Sequence, residues 1–509
     1  MRISAIWNDL QPGPDRLGGT IRITFSAVLV AAVMLTFRMP FLYIGPYLVF
    51  ILSQRDTFLT RAAAALGIAV AAAASLIIYL VAFLAWDTGW LRVSLWGVIF
   101  FGGYFLMRIC VEPRAILGPL VVVALFAFAF DKAPDPNRVV SLTGWLWAIL
   151  GLIIASTFLT QWLFGAPTAI ELLRRQFREL LAGVERKYLA LAFKRKPPEN
   201  LLHFDEAEVG GRIEKLRAAG VLSRVQSRNN LALLHAAAGV LRAEAGPAGK
   251  NSNLLAFAAW ARLLRRRVLL GPEAGPIDPV PDASGMEPSL QAPSGNLCDA
   301  ARNAFSHAGR EPCQKGTHGQ YPGAPQRSAP SLLLPDWHTN PAYAGFAFRA
   351  TIATMGCYLF MTLADWNGIH TCLITCAVTA LAGAESRIHK QNLRMTGALI
   401  GGLLGMGAVI FLIPHMDSLG AYLLILSAGC ALAAWVSLGS ERIAYAGWQI
   451  GLAFFMTVLQ DPHPSTKLDI VRDRWAGIFI GILAMRAAFM WLPPHSTPIL
   501  TRPASDSAL

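Results

Sequence analysis

Two similar series of apolar runs, one in each half of the chain, constrain the fold more than any other feature. Arg22-Ile-Thr and Arg349-Ala-Thr each begin a long apolar run, and a charged residue interrupts both runs at the same distance, Arg38 in the first and Asp365 in the second. In each half, further apolar runs follow after short charged breaks. Self-similarity at a fixed offset predicts two structural repeats.

The apolar runs are too long and too many for a soluble domain. The chain is 54% hydrophobic and 15% charged, whereas soluble domains average about 25% charged residues. A helix needs about 20 apolar residues to cross a membrane. We therefore predict an all-α polytopic membrane protein with twelve transmembrane helices in two parallel six-helix repeats. The predicted spans are residues 21–37, 39–53, 62–85, 91–109, 115–130, 142–164, 345–364, 369–384, 396–414, 419–438, 443–460 and 475–492.

The composition between the repeats predicts two further segments. Residues 166–270 are polar and amphipathic at helical spacing, which predicts a cytosolic helical domain. Residues 271–335 are rich in Pro, Gly, Ser and Ala, which predicts a disordered linker. The first membrane half then covers 1–165, the second covers 336–494, and 495–509 form a cytosolic tail.

The distribution of Lys and Arg predicts the orientation. Basic residues are more frequent in the even-numbered turns between spans, and cytoplasmic loops carry this excess in membrane proteins. Both termini are therefore expected in the cytoplasm. The net charge of +13 indicates cytoplasmic loops near anionic membrane lipid, and we expect no nucleic-acid partner.

Motifs of catalysis and metal binding are missing from the sequence. It contains no GxSxG, no HExxH and no paired cysteines, and its seven Cys are scattered. The segment 246–252 resembles a phosphate loop but lacks the required glycine spacing. We expect no enzymatic activity, no cofactor and no metal.

Two RxxGxxxG strings, each at the start of a predicted span, are the most distinctive local motifs. Small residues four apart let two helices approach closely, so we interpret the glycines as a helix-packing motif. The arginines are interpreted either as anchors in the head-group region or as members of a functional ion pair. The two strings comprise Arg394, Gly397 and Gly401, and Arg474, Gly477 and Gly481.

The order of elements and the Arg394-Met-Thr-Gly397-Ala-Leu-Ile-Gly401 string resemble the fusaric acid resistance family, which includes the aromatic acid exporters of Gram-negative inner membranes. The resemblance implies an inner-membrane component of an efflux pump that exports aromatic carboxylic acids or drugs. It also implies a periplasmic adaptor (membrane fusion) protein and often an outer-membrane channel as partners. More distant plant relatives conduct organic anions, which leaves an organic-anion channel as the alternative. Whether the protein forms a homo-oligomer is left open.

The second and eighth predicted spans are short, and short spans at matching positions of two repeats indicate a binding site. The second offers Tyr43 and Tyr47, and the eighth offers Thr371, Thr375 and Thr379, each set spaced one helical turn apart. Aromatic rings suit an aromatic solute, and hydroxyls with an arginine suit its carboxylate. The alternative is that the tyrosines belong to an interfacial belt and the threonines bond their own backbone.

Several charged residues are further candidates. Arg486 lies inside the twelfth span, where it either attracts anionic substrate or extends to the membrane surface. Arg38 and Asp365 occupy equivalent positions with opposite charges, so we hypothesise a gating ion pair, the alternative being two solvated turn residues. Asp365, Asp473 and Glu441 are candidates for proton exchange.

Overall fold

The computed structural model describes residues 10–11, 16–54, 56–110, 113–195, 206–243, 251–270, 281, 283, 286, 288–305, 333–334, 336–381, 384–461 and 469–491. These residues form two compact units. One contains the described residues up to Ala166 and those from Leu333 onward, and it is called the membrane unit below; the other contains the described residues from Pro167 to Phe305. Every regular element in the described part of the chain is a helix, which confirms the all-α prediction.

Seventeen α-helices are described. The first half of the membrane unit contains α1 (Arg16–Thr36), α2 (Ile44–Leu52), α3 (Thr57–Ala85), α4 (Gly89–Ile109), α5 (Arg114–Lys132) and α6 (Pro136–Phe164). The second unit contains α7 (Ala169–Ala192), α8 (Glu206–Ala218), α9 (Arg224–Arg242), α10 (Asn251–Leu270) and α11 (Pro288–Phe305). The second half of the membrane unit contains α12 (Pro341–Leu363), α13 (Thr371–Leu381), α14 (Ala384–Gly407), α15 (Leu419–Ser437), α16 (Glu441–Val458) and α17 (Asp469–Trp491).

The twelve helices of the membrane unit correspond one to one with the twelve predicted spans. Among the described helices, nine are long and apolar enough to cross a membrane. The exceptions include α2 and α13, which have only nine and 11 residues and occupy matching positions in the two halves. The multi-pass membrane architecture is thus confirmed.

The two halves exchange contacts reciprocally. Helix α1 packs on α15 of the other half, and its counterpart α12 packs on α4 in the same way. Two hydrophobic cores result, and each is built mainly from the first, second and sixth helices of one half and the third to fifth helices of the other. Reciprocal packing of this kind is what a pseudo-two-fold relation between parallel repeats requires.

The two halves also share the backbone conformation of individual residues at equivalent positions. Two positions beyond the last residue of both α1 and α12 stands a non-glycine residue with positive φ, Arg38 at 49° and Asp365 at 47°. In both turns the amide of the next residue donates to the carbonyl oxygen five residues earlier, at 3.0 Å and 3.1 Å. This is the Schellman helix end, in which glycine is the usual left-handed residue.

The second unit has a core of its own. Helix α7 presents a buried stripe at helical spacing that includes Phe177, Val184 and Tyr188, and α10 packs against this helix. Lys187, buried on the same helix, donates from Nζ to three carbonyl oxygens at the end of α9, those of Val240, Leu241 and Ala243. A cation at a helix C-terminus satisfies carbonyl groups that have no partner within the helix.

The predicted disordered linker, 271–335, is wrong over α11. This helix packs on α9, and the Tyr188 hydroxyl hydrogen-bonds with that of Ser294 at 2.7 Å in the core. Leu290, Leu297 and Ala301 are buried at near-helical spacing. The surrounding Pro, Gly and Ser dominate the composition and obscured this short stripe. Most of the remaining predicted linker lies outside the described residues.

Candidate functional site

Two of the buried arginines in the membrane unit each open one of the RxxGxxxG strings. Arg394 on α14 is 3% exposed and Arg474 on α17 is 4% exposed. Both guanidinium groups are thus removed from the surface, and their charges interact with one another. An arginine buried at membrane depth is costly unless a partner compensates its charge.

The glycines of the two strings set the positions of these arginines. A Cβ added at Gly397 would lie 2.7 Å from the Ala446 carbonyl oxygen of α16, and one added at Gly481 would lie 2.7 Å from the Cys372 carbonyl oxygen of α13. Both distances are too short for a real side chain. Helix α14 therefore lies almost backbone to backbone against α16, and α17 against α13, as small residues four apart allow.

Arg394 uses part of its donor capacity on neighbouring hydroxyls. Its Nη2 donates to Thr375 Oγ1 at 3.1 Å, and its Nη1 donates to the Tyr445 hydroxyl at 3.2 Å. Its buried Nε has no hydrogen-bond partner among the described residues. Because hydroxyls are neutral, these bonds orient the guanidinium group and leave its charge uncompensated.

Arg474 has weaker partners. Its Nη1 contacts the Met456 thioether sulfur, which is a weak acceptor, and its buried Nε has no described partner. Its backbone carbonyl accepts from Thr371 Oγ1 at 3.5 Å. Among the described side chains, no carboxylate lies within ion-pair distance of Arg394 or Arg474.

Other buried arginines of the membrane unit make different contacts. Arg22 donates to the Gly165 carbonyl oxygen at 3.1 Å, and Arg16 donates to the Trp435 carbonyl oxygen at 2.9 Å. Gly165 caps the end of α6 and Trp435 lies in the last turn of α15, where the helix dipole favours a cation. Within the described residues, Arg394 and Arg474 make no such contact with a helix end, which distinguishes them from these structural arginines.

The short helix α2 adds aromatic groups to the cluster. Tyr43 precedes its first residue and Tyr47 follows one turn later, and both are half-buried. Both hydroxyls interact electrostatically with Arg474, and that of Tyr47 also interacts with Arg394. The structure therefore brings the tyrosines of the second span and two threonines of the eighth, Thr371 and Thr375, around the same pair of arginines.

The sequence analysis missed one face of α16. Tyr445, Gln449 and Met456 lie four and seven residues apart, and Gln449 is 2% exposed with no described partner for its Oε1. The signal was a polar stripe at helical spacing within the eleventh span. The eleventh span is not short, so its length did not mark it as a binding site. We refer to Arg394, Arg474, Tyr43, Tyr47, Thr371, Thr375, Tyr445, Gln449 and Met456 as the arginine cluster.

Two other candidates lie apart from this cluster. Thr379 donates to the carbonyl oxygens of Thr375 and Cys376, so its hydroxyl satisfies its own helix. Arg486 is exposed, and its Nη2 donates to Gln391 Oε1 at 3.5 Å. The described geometry gives neither residue a contact with the two buried guanidinium groups.

The structure pairs Asp365 with Lys132 instead of Arg38. The Asp365 carboxylate is 87% exposed and lies 3.5 Å from Lys132 Nζ, while Arg38 lines a separate pocket at the end of α1. A hydrogen bond from Asn367, and then the charge of Lys132, lower the pKa of Asp365. Asp473 pairs with Arg472 at 2.8 Å, and the Glu441 side chain lies outside the described residues.

Chemically, the arginine cluster is a cationic site with aromatic and hydroxyl walls. Two guanidinium groups near one another repel, and their free N–H donors have the geometry that carboxylate oxygens accept well. Tyrosine rings provide flat apolar surface with a polar end. The arrangement therefore suits an anion with an aromatic group.

Comparison with known proteins gives one group of relatives. The chain is 35% identical to the multidrug resistance protein MdtO of Shigella flexneri over 173 residues, 33% of this chain and 25% of that protein. It is 33% identical to MdtO of Escherichia coli K12 over 176 residues, 34% of this chain and 26% of that protein. These similarities support the predicted family and an efflux component. The match covers about a quarter of these relatives' length. No family model and no solved structure matches the chain.

Proposed function

We propose that this protein exports aromatic carboxylic acids or related toxic compounds across the bacterial inner membrane. The observation that carries the proposal is the pair Arg394 and Arg474, both buried and both without a carboxylate partner in the described part of the chain. The relatives named multidrug resistance proteins support a role in export. We also propose that both termini and the second unit lie in the cytoplasm, because Lys and Arg are more frequent in the even-numbered turns between spans.

The substrate carboxylate is the counter-ion of the Arg394 and Arg474 guanidinium groups. On insertion scales an arginine within a transmembrane helix costs up to about 3 kcal/mol, the value for the helix centre, and the two guanidinium groups also repel each other in the empty site. A bound carboxylate accepts hydrogen bonds from both guanidinium groups and offsets this repulsion. The rings of Tyr43 and Tyr47 then pack against the aromatic part of the substrate.

The experiment compares export by Arg394→Gln and Arg474→Gln with export by Arg486→Gln. Glutamine retains donors but removes the charge, and Arg486→Gln is the matched control because Arg486 is an exposed arginine on the same helix as Arg474. Loss of one charge-assisted hydrogen bond costs about 1.5–3 kcal/mol, or roughly 10- to 100-fold in affinity. We therefore expect Arg394→Gln and Arg474→Gln to export radiolabelled 4-hydroxybenzoate roughly 10- to 100-fold more slowly at subsaturating concentration. Arg486→Gln should export it at the parental rate.

A second measurement separates charge recognition from general damage. The neutral analogue 4-hydroxybenzamide should be transported equally by the parent and by Arg394→Gln, since it has no charge for the arginine to bind. Arg394→Lys should fall between parent and glutamine variant, because lysine keeps the charge and loses the planar pair of donors. If both glutamine variants, present at parental abundance, export 4-hydroxybenzoate at the parental rate, the proposal is wrong.

The alternative function is an organic-anion channel. One observation favours it: the arginine cluster contains no titratable carboxylate, and the nearby Asp473 is paired with Arg472. A proton-coupled exporter in proteoliposomes accumulates the acid against its gradient when a pH gradient is imposed. A channel brings the acid only to electrochemical equilibrium and never beyond it.

We also propose the partners that the family pattern implies. In this proposal the exporter transfers its substrate to a complex of a periplasmic adaptor protein and an outer-membrane channel. Affinity purification of the tagged full-length chain from its native membrane should recover an adaptor with a single membrane span. Unaltered resistance to aromatic acids in a strain lacking every such adaptor would show that the chain works alone.

A further inference from the structure

A pocket lies at the end of the membrane unit where α1 ends. Its volume is about 370 Å³, within the range of small-molecule sites. Its walls come from the α1–α2 turn, the start of α6 and the residues that follow α16. It is lined by Arg38, Met39, Pro40, Phe41, Leu42, Tyr43, Arg138, Trp145 and Gln460.

The α1–α2 turn gives this pocket its shape. Arg38 and Phe41 both have positive φ, 49° and 57°, in the left-handed region that non-glycine residues rarely adopt. The turn thereby reverses the chain within a few residues and sets Tyr43 at the first turn of α2. Arg138 and Trp145 lie seven residues apart on α6, so they share one face of that helix.

The pocket has the same two chemical features as the arginine cluster, a cationic part and an aromatic part. Arg38 and Arg138 are exposed, and no described carboxylate forms an ion pair with either. The nearby Asp135 is the N-cap of α6, where its Oδ1 accepts from the Arg138 backbone amide at 2.8 Å. Phe41, Tyr43 and Trp145 supply the aromatic surface.

Tyr43 connects the two sites, since it lines the pocket and also interacts with the charge of Arg474. We infer that the pocket is a second binding site for an aromatic carboxylate, occupied after the arginine cluster on the way out of the protein. This inference takes its ligand class from the proposed function. The two arginines of the pocket are exposed to water, which screens their attraction. The second site is therefore weaker than the first, as release of the substrate requires.

The test is equilibrium binding of radiolabelled 4-hydroxybenzoate to the full-length protein in lipid nanodiscs. The parent should show two classes of site. The double variant Arg38→Gln/Arg138→Gln should weaken the low-affinity class about tenfold and leave the other unchanged. Arg394→Gln should remove the high-affinity class alone. Lys132→Gln is the control, because Lys132 ends α5 at the same end of the unit and lines neither site.

The outcomes separate the two hypotheses. If the parent binds one equivalent, abolished by Arg394→Gln and unaffected by the double variant, the second site does not exist and the proposed function stands. If binding is abolished by the double variant and unaffected by Arg394→Gln, the pocket binds the acid and the proposed function is wrong. If Lys132→Gln weakens binding as much as the double variant, the effect is one of net charge and the pocket is not a site.

Discussion

The contact between α14 and α16 determines where Arg394 lies, and Gly401→Ala tests this contact with a single methyl group. The added Cβ would overlap the Ile450 carbonyl oxygen and lie 2.9 Å from the Ile450 carbonyl carbon and Cα. Ordinary contacts begin at 3.4 Å, so the two helices must separate by about 1 Å before the added methyl group clears the carbonyl oxygen. Backbone atoms have no alternative rotamer, and the whole helix has to move.

The magnitude follows from two opposing effects. Alanine is a better helix former than glycine by about 0.5–1 kcal/mol, while overpacking a close contact costs roughly 1–3 kcal/mol. We expect a net loss of about 0.5–2 kcal/mol for Gly401→Ala and more for Gly401→Leu. Gly356→Ala on α12 is the matched control, since nothing lies within 4 Å of its added Cβ. That variant should be neutral or slightly stabilised.

The assay is thermal unfolding of the detergent-purified proteins, followed by the monodisperse fraction after heating. The separation of α14 from α16 should also lengthen the 3.2 Å hydrogen bond from Arg394 to the Tyr445 hydroxyl, so Gly401→Ala should bind 4-hydroxybenzoate more weakly than Gly356→Ala does. Equal or higher stability of Gly401→Ala relative to Gly356→Ala would refute the reasoning, because α14 and α16 would then have room between them.

Two further predictions concern the second unit and the orientation. Burial lowers the pKa of Lys187, so the folded form binds fewer protons than the unfolded form between that lowered pKa and the ordinary value of 10.5. This contribution to stability therefore rises with pH across that range. In the full chain, the opening free energy near the end of α9, taken from amide exchange after correction for the intrinsic exchange rate at each pH, should rise accordingly. Lys187→Met should lower this free energy and abolish its pH trend; an identical trend would exclude Lys187 as its cause. For orientation, Asp417→Cys should react with an impermeant thiol reagent in intact cells and Arg228→Cys should not, whereas the reverse pattern would invert the topology.

The sequence predicted the membrane helices because the bilayer leaves little choice. A backbone in hydrocarbon must satisfy its hydrogen bonds internally, so every long apolar run becomes a helix. The predicted starts are less accurate where a polar cap lies outside the apolar part. Helix α3 begins at Thr57, not at residue 62, because Asp56 Oδ1 accepts from the Leu59 amide at 2.8 Å. Helix α6 likewise begins at Pro136 after its cap, Asp135.

The site was only partly predictable, because hydropathy gives the depth of a residue and not the direction in which it faces. Arg474 and Arg486 lie on the same helix 12 residues apart, which rotates them by about 120° relative to each other. One is buried in the arginine cluster and the other is exposed. Similarly, the position of Gln449 in the arginine cluster depends on the packing of α16 against α14, which the sequence does not give. Rotation about a helix axis depends on tertiary contacts that a single sequence does not encode in its apolar pattern.

The two halves share the backbone geometry of these turns but not their charge, so the end of the membrane unit that carries both turns is asymmetric. Arg38 and Asp365 end their helices with the same left-handed turn, yet Arg38 lines a basic pocket whereas Asp365 contacts Lys132. Under the proposed function, an anion leaving the arginine cluster is attracted toward the first turn and repelled from the second. On this reasoning Arg38→Asp slows export of 4-hydroxybenzoate, Asp365→Arg leaves it unchanged, and the double swap stays as slow as Arg38→Asp. A gating ion pair between the two residues requires the opposite, namely that both single variants are slow and that the double swap recovers. Export rates of the three variants at equal abundance therefore decide between an exit path on the Arg38 side and a gate that joins the two halves.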